Sequence, residues 1–306
     1  MKVLIATQKP FAKAAVDSIK EVIANAGFEP VMLEKYAGAD DLKKAVADAD
    51  AVIIRSDIID ADVLAAAPNL KIVVRAGAGY DNVDLATAKA QGVVVQNTPG
   101  QNSNAVAELV FGMTVMAIRN MYDGTSGSEL RGKTIGIQAF GQVGRNVARI
   151  AKGFDMTVSA LDPYCPAEDI AAAGVTPVQT VNDLYSNNQF VSIHIPATAE
   201  TRGSIGYDLI RLMPQGGVLI NTARKEVIDE AGLAKALEER PDLKYVADVK
   251  PDNADELKER FGNRVFFTPK KMGAQTAEAN INAGIAAAEQ VVAYLRDGIN
   301  RFQVNK

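Results

Sequence analysis

Short runs of apolar, β-branched residues alternate along the whole chain with longer stretches rich in Ala, Leu, Glu and Lys. Apolar runs joined by helix-length segments mark βαβ units on a parallel sheet, so the pattern predicts the α/β class. In the first third it predicts strands at Lys2–Thr7, Pro30–Leu33, Ala51–Ser56, Leu70–Arg75 and Gly92–Gln96, with helices such as Phe11–Ala26 and Asp60–Ala66. A second series predicts strands at Thr134–Ala139, Thr157–Leu161, Phe190–Pro196, Gly217–Thr222, Leu243–Val249 and Arg264–Thr268. Two Rossmann-like domains with parallel sheets follow. Between the two series lies Asn102–Met121, whose Ala105, Val106, Leu109, Val110, Met113, Val115, Met116, Ala117 and Ile118 leave almost no polar face. Such a helix has to be buried, in a homodimer interface or in an intrachain core. The last helical segment, Gln275–Asp297, is amphipathic and long enough to return to the first domain.

Composition narrows the chemistry. At 306 residues, 48% of them hydrophobic, the chain has length for about two domains and material for their cores. Thirty-three basic against 37 acidic residues, with no stretch that concentrates five or six like charges, give no footprint for nucleic acid or an anionic membrane surface. No apolar run reaches 18 residues, and Met1–Thr7 meets Gln8-Lys9-Pro10 too soon for an export signal, so a cytoplasmic location is expected. One cysteine, Cys165, and one histidine, His194, exclude a disulfide framework, a zinc cage and a Ser/His triad with a histidine to spare.

After the strand that starts at Thr134 comes Ala139-Phe140-Gly141-Gln142-Val143-Gly144, then a helix, then a strand ending at Asp162, 18 residues beyond Gly144. This is a dinucleotide-binding arrangement: Gly141 lets backbone approach a pyrophosphate, Gly144 lets helix and strand pack closely, and the helix N-terminus offers N–H groups to phosphate. Asp162 can accept both ribose hydroxyls of an adenosine, and its charge opposes a 2′-phosphate, which favours NAD over NADP. Ala139 stands where the first glycine is usual.

Ligands of open α/β sheets sit beyond the carboxyl ends of the strands. There the sequence gathers Arg55-Ser56, Arg75-Ala76-Gly77-Ala78-Gly79, Asn221-Thr222-Ala223-Arg224, Asp248 and Thr268-Pro269-Lys270-Lys271. Guanidinium forks and glycine-flanked N–H groups suit an anionic substrate.

These segments, with Tyr80-Asp81-Asn82-Val83-Asp84, Asn97-Thr98-Pro99, Asp162-Pro163-Tyr164 and Ser192-Ile193-His194-Ile195-Pro196, resemble the NAD-dependent D-2-hydroxyacid dehydrogenases over nearly the full length. The resemblance implies a flavodoxin-like substrate domain of residues 1–98 with 278–306 and an NAD-binding Rossmann domain of residues 99–277. It implies NAD held by Phe140, Gly141, Gln142, Val143, Gly144, Asp162, His194, Ile195, Pro196, Thr222, Ala223, Arg224, Asp248 and Gly273, with Asp248 on the nicotinamide carboxamide. Arg224 would orient the substrate, while Arg55, Ser56, Gly77, Ala78, Gly79 and Asn102 would bind it. The substrate implied is a small phosphorylated hydroxy acid, D-3-phosphoglycerate, oxidised to 3-phosphohydroxypyruvate at the entry to serine synthesis.

The chain departs from the family pattern in places that bear on the chemistry. Thr268-Pro269-Lys270-Lys271-Met272-Gly273 replaces a Thr-Pro-His sequence and is one residue longer before the glycine, and Asn253 stands where a partner glutamate is usual. The spacer before the nucleotide domain is short, and no C-terminal regulatory domain is expected. Oxidation of a secondary alcohol needs a base that is deprotonated near neutral pH. Lysine, ordinarily near pKa 10.4, falls by as much as about 3–5 units when buried or set beside like charge, here Arg224, Lys225 and Lys271. A carboxylate partner would counteract that shift, so a lysine base and a missing glutamate are consistent. Lys270 is the expected base and Lys271 the alternative. His194, inside an apolar strand-end motif, reads as structural or cofactor-adjacent, and Cys165 as a bystander near the adenosine end. Another D-2-hydroxyacid dehydrogenase or a reductase for glyoxylate or hydroxypyruvate, and a non-enzymatic NAD-binding sensor, remain as other readings.

Overall fold

The computed structural model describes residues 1–306. The chain divides into one unit made of Met1–Asn102 with Thr276–Lys306 and a second made of Ser103–Gln275. Asn102 and the start of the C-terminal helix therefore fall in the first unit.

In the first unit β1 (Lys2–Thr7), β2 (Glu29–Glu34), β3 (Ala51–Ile54), β4 (Ile72–Arg75) and β5 (Val94–Asn97) form a parallel sheet of order β2-β1-β3-β4-β5. Alternate residues feed opposite faces, because side chains in a strand repeat every two positions. Val3 and Ile5 with Ile53, Ile72 and Val74 meet the Lys13–Asn25 and Ala277–Asp297 helices, whereas Leu4, Ala6, Val52, Ile54 and Val73 join Leu42, Val46 and Val63 on the other face. With both faces covered the strands read as unbroken apolar runs. The Ala277–Asp297 helix starts on Thr276, whose hydroxyl accepts from the Ala279 N–H, and ends on Gly298 in the left-handed region. It packs on the Lys13–Asn25 helix, where a Cβ at Gly284 would stand 2.6 Å from Ile19.

The second unit contains β6 (Thr134–Gln138), β7 (Thr157–Leu161), β8 (Thr176–Pro177), β9 (Phe190–Ile193), β10 (Val218–Asn221), β11 (Lys244–Ala247) and β12 (Val265–Phe267). All run parallel in the order β12-β11-β10-β9-β6-β7-β8. The α/β class and two parallel sheets agree with the pattern of the sequence. Several strands end sooner than the apolar runs predict: β3 stops at Ile54, β9 at Ile193 and β11 at Ala247. The residues just beyond, such as Ile195 and Val249, still pack on the core although the ladder has ended. β8 has two residues and leaves no periodic signal.

The strongly apolar segment forms the helix Ser103–Ile118, shorter than its apolar run. Val106, Ala107, Val110, Phe111, Met113 and Ala117 are buried within this unit, against the Gln142–Gly153 helix and the sheet. Its C-terminus is capped from a distance by Lys244, whose ammonium donates to Ala117 O at 2.6 Å and to Asn120 Oδ1 at 2.7 Å. Asn120, Met121 and Tyr122 then all take positive φ, so the helix cannot continue. No helix is long and apolar enough to cross a membrane.

Candidate active site

The sheet of the second unit changes direction of growth at β6, which lies between β7 and β9. The turn that leaves β6 is therefore at the position where such sheets take ligands. Ala139 adopts φ 78°, and its N–H is tied to Leu161 O at 2.9 Å. Gly141 is the N-cap of the Gln142–Gly153 helix and contributes no side-chain cap, so the N–H groups of the first turn keep no partner within the helix. A Cβ at Gly141 would meet no atom within 4 Å, whereas one at Gly144 would overlap Ala139 O. The first glycine thus leaves room outside the turn and the second permits contact inside it. The Asp162 carboxylate joins this turn to the end of β7. Its Oδ2 accepts from Phe140 N at 2.7 Å and its Oδ1 from Tyr164 N at 2.8 Å, which leaves a lone pair on each oxygen for a hydroxyl. Arg145 lies over the Phe140 ring and reaches Cys165 Sγ at 3.3 Å, so the lone thiol is on the same side of the turn as Asp162. A helix N-terminus without a cap, open space at Gly141 and an acceptor at the second strand end fit a dinucleotide.

His194 follows β9 and is fixed by its backbone N–H to Gln138 O at 2.9 Å. Ser192 Oγ is 2.9 Å from Nε2 and Thr222 Oγ1 is 3.5 Å from Nδ1. Burial pushes the imidazole pKa down to about 3, so the ring is neutral across the physiological range. After β10, the fully buried Asn221 shapes the next turn: its Nδ2 donates to Arg224 O and its Oδ1 accepts from Ala223 N, each at 2.9 Å. Arg224 is half-buried and spends one N–H on Ala223 O, leaving the rest of its fork available. The sequence offers Lys225 as a cationic neighbour of the base. It forms a close ion pair with Asp252, which raises its pKa, so its charge is locally compensated.

Lys270 and Lys271 are exposed, on the segment between β12 and the C-terminal helix. The desolvation expected of a lysine base is therefore not provided by the protein around Lys270 in this structure. Asp248 and Gly273 adjoin the same segment and are buried. At the position of the missing glutamate, the N–H groups of Asp252 and Asn253 donate to Glu230 at 2.8 and 3.1 Å, and the Asn253 side-chain oxygen is buried without a partner.

In the first unit the change of direction falls between β1 and β3, where Arg55 and Ser56 follow β3. Arg55 is held in place rather than free. Nη1 donates to Lys9 O and Pro10 O at 3.3 Å, Nη2 to Asn280 Oδ1 at 2.5 Å, and the guanidinium lies over Phe11. Arg75 donates through Nε to Arg55 O at 2.9 Å, and its guanidinium covers Gly77. Desolvation lowers the pKa of both arginines, and for Arg75 the neighbouring Arg55 charge lowers it further. Two desolvated cations that repel each other are a site an anion would relieve. The buried Asp57 carboxylate accepts from Gln8 N, Tyr36 Oη and Arg55 N and so sets the turn that carries Arg55. Asn97 Nδ2 bonds Ala78 O and Thr98 N bonds Gly77 O, which fixes the 77–79 turn. Ser56 and Ala78 are exposed, and Gly79 and Asn102 half-buried. Arg75, Asp57 and Asn221 were not singled out as site residues. Arg75 and Asn221 are visible at strand ends in the sequence, but Asp57 looks there like an ordinary turn residue.

Residues 104–269 match the family model described as D-isomer specific 2-hydroxyacid dehydrogenase, NAD binding domain. The chain is 35% identical over 283 residues to D-3-phosphoglycerate dehydrogenase of Methanocaldococcus jannaschii, an alignment covering 87% of this chain and 53% of that protein. It thus spans about half the length of that relative. It is 36% identical over 276 residues to hydroxypyruvate reductase of Thermotoga maritima, covering 82% and 87% of the two chains. Among solved structures, it is similar to the NAD+-bound 3-phosphoglycerate dehydrogenase of Entamoeba histolytica, with 45% identity, a TM-score of 0.87, and coverage of 100% of this chain and 99% of the other.

Proposed function

We propose that this chain, which belongs to the D-isomer-specific 2-hydroxyacid dehydrogenase family, oxidises D-3-phosphoglycerate to 3-phosphohydroxypyruvate with NAD, the first step of serine synthesis. The observation that carries the substrate is the 45% identity, over essentially both whole chains, to the Entamoeba protein named for that substrate. The N–H groups at the start of the Gln142–Gly153 helix, reached past Gly141, hold the pyrophosphate, and Asp162 accepts the ribose hydroxyls. NAD, when bound, supplies the acceptor for the hydride from substrate C2. Arg224 grips the carboxylate and carbonyl end with its free donors, and Lys270 takes the hydroxyl proton as hydride leaves. His194 does not compete for that role, because its neutral ring lies between Ser192 and Thr222 and serves to position the strand end. Arg55, Ser56 and Asn102, with Arg75 added, receive the phosphate. Desolvation of Lys270 then accompanies ligand binding.

NADH formation from D-3-phosphoglycerate tests this reading, with Lys270→Ala expected to lose at least about a hundredfold in kcat, the usual contribution of a positioned base. Undiminished turnover rejects Lys270, and Lys271→Ala then identifies the alternative. The Thermotoga relative supports a second reading, reduction of hydroxypyruvate or glyoxylate. Higher kcat/KM for an unphosphorylated acid would favour it, and tight NADH binding without turnover of any hydroxy acid would favour a sensor. Half-exposed Leu109, Val115 and Met116 on the Ser103–Ile118 helix support a homodimer, measurable by sedimentation, in a cytoplasmic protein.

A further inference from the structure

Asp248 follows β11 and is 1% exposed. A carboxylate so placed requires hydrogen bonds, and all three it receives come from the segment after β12. Oδ1 accepts from Thr268 Oγ1 at 2.9 Å and from Met272 N at 2.6 Å, and Oδ2 accepts from Gly273 N at 2.7 Å. The donors bracket Lys270 and Lys271, one before the pair and two after it. Two are backbone N–H groups, so the bonds fix the path of the chain and not merely a rotamer. Gly273 makes the approach possible, since a Cβ there would stand 2.9 Å from Asp248 Oδ2 and 3.1 Å from Val106 Cγ2. Short bonds to an ionised acceptor are the strong kind. This segment is the one that runs a residue longer than the family pattern, and it has no glutamate at Asn253 to orient a base.

We infer that Asp248 is a positioning residue: it holds the segment on both sides of the lysine pair, through the Thr268 side chain before it and the Met272 and Gly273 backbone after it, and so sets the reach of the Lys270 amine. This rests on the reading of Lys270 as the base. Three of roughly four acceptor positions on the carboxylate are then committed to the loop, and the one left on Oδ2 is the position for the nicotinamide carboxamide.

The test combines Asp248→Asn with Lys270→Ala. An asparagine that keeps its oxygen toward Thr268 and Met272 turns its NH2 toward the Gly273 N–H, so one bond becomes a repulsion. Exchange of the Met272 and Gly273 amide hydrogens is expected to accelerate at least about tenfold. kcat should fall by more than the NADH dissociation constant rises, and in the Lys270→Ala background Asp248→Asn should lower kcat no further, as expected of a residue acting through another. Unchanged amide exchange overturns the anchor. An equal loss of kcat with and without Lys270, together with weakened NADH binding, overturns it in favour of a cofactor contact. Failure of the base reading looks different, because Lys270→Ala then keeps full turnover while the exchange result stands. Gly273→Ala, which retains the carboxylate but crowds it, provides a second variant if Asp248→Asn does not fold, with the same pattern expected and the same results overturning the proposal.

Discussion

The turn after β6 and the turn after β4 both carry glycines at the carboxyl end of a parallel strand, yet they use them in opposite ways. At Gly141 the space a Cβ would occupy is empty, while at Gly77 it is taken by the guanidinium of Arg75. The backbone requirement is also placed differently. Gly77 itself adopts φ 149°, a conformation few other residues tolerate, whereas Gly141 has an ordinary φ of −73° and the left-handed position nearby is occupied by Ala139. In the first unit one glycine therefore meets both the steric and the conformational demand, and the cation delivered there belongs to the protein. In the second unit the demands are split, and the space remains for a ligand. A glycine motif at a strand end thus indicates close approach without saying what approaches.

Gly77→Ala should have the largest effect, because it violates both demands at once. The backbone strain alone costs about 1–3 kcal/mol, and the new methyl displaces the Arg75 guanidinium. Urea denaturation is expected to show a lower midpoint, and KM for D-3-phosphoglycerate should rise as the Arg55–Arg75 pair is disturbed. A stable variant with unchanged KM would mean that Arg75 can withdraw at no cost, and the contrast between the turns would lose its basis.

Gly141→Ser should separate stability from binding. Serine at an N-cap accepts from the first free N–H groups, which Gly141 leaves without a side-chain cap, and relative to glycine this contributes only about 0.2–0.5 kcal/mol. The same hydroxyl enters the space proposed for the pyrophosphate and consumes its donors. NADH affinity is expected to fall at least about tenfold, or roughly 1.4 kcal/mol, while the urea midpoint holds or rises. Stability and affinity falling together would show that the open space serves the fold rather than a ligand.

How far such readings follow from sequence alone depends on how local their cause is. The strands were legible because burial on both faces leaves unbroken apolar runs, and the glycine turn and Asp162 because strand, turn and helix succeed each other within a few residues. Strand ends were not, since Ile195 and Val249 remain in the core after the ladder stops. The Arg55 bond to Asn280 joins residues 225 positions apart and has no local signature. The ion pair of Lys225 has no local signature either, because its partner, Asp252, lies 27 residues away on the loop after the next strand. Lys270 was recognisable by its place in a motif, but its exposure depends on the path of a loop pinned by Asp248, which alternation of apolar and polar residues does not encode.

Ala139→Gly should have the smallest effect and is the sharpest check on how the demands are divided. The φ of 78° at Ala139 is imposed from both sides: its N–H is bonded to Leu161 O, and its carbonyl oxygen is packed so closely under Gly144 that a Cβ there would overlap it. Neither neighbour can yield without opening the contact between helix and strand. An alanine in this conformation carries about 1 kcal/mol of strain that glycine lacks, partly offset by the greater freedom glycine has when unfolded. The net expectation is a rise in stability of about 0.5 kcal/mol, read as a higher urea midpoint at constant slope, with NADH affinity unchanged because Gly141 and Asp162 keep their places. A fall in stability would mean that the half-buried methyl of Ala139 contributes more by packing than its backbone costs, and the alanine would then be part of the fit of this turn instead of a tolerated strain.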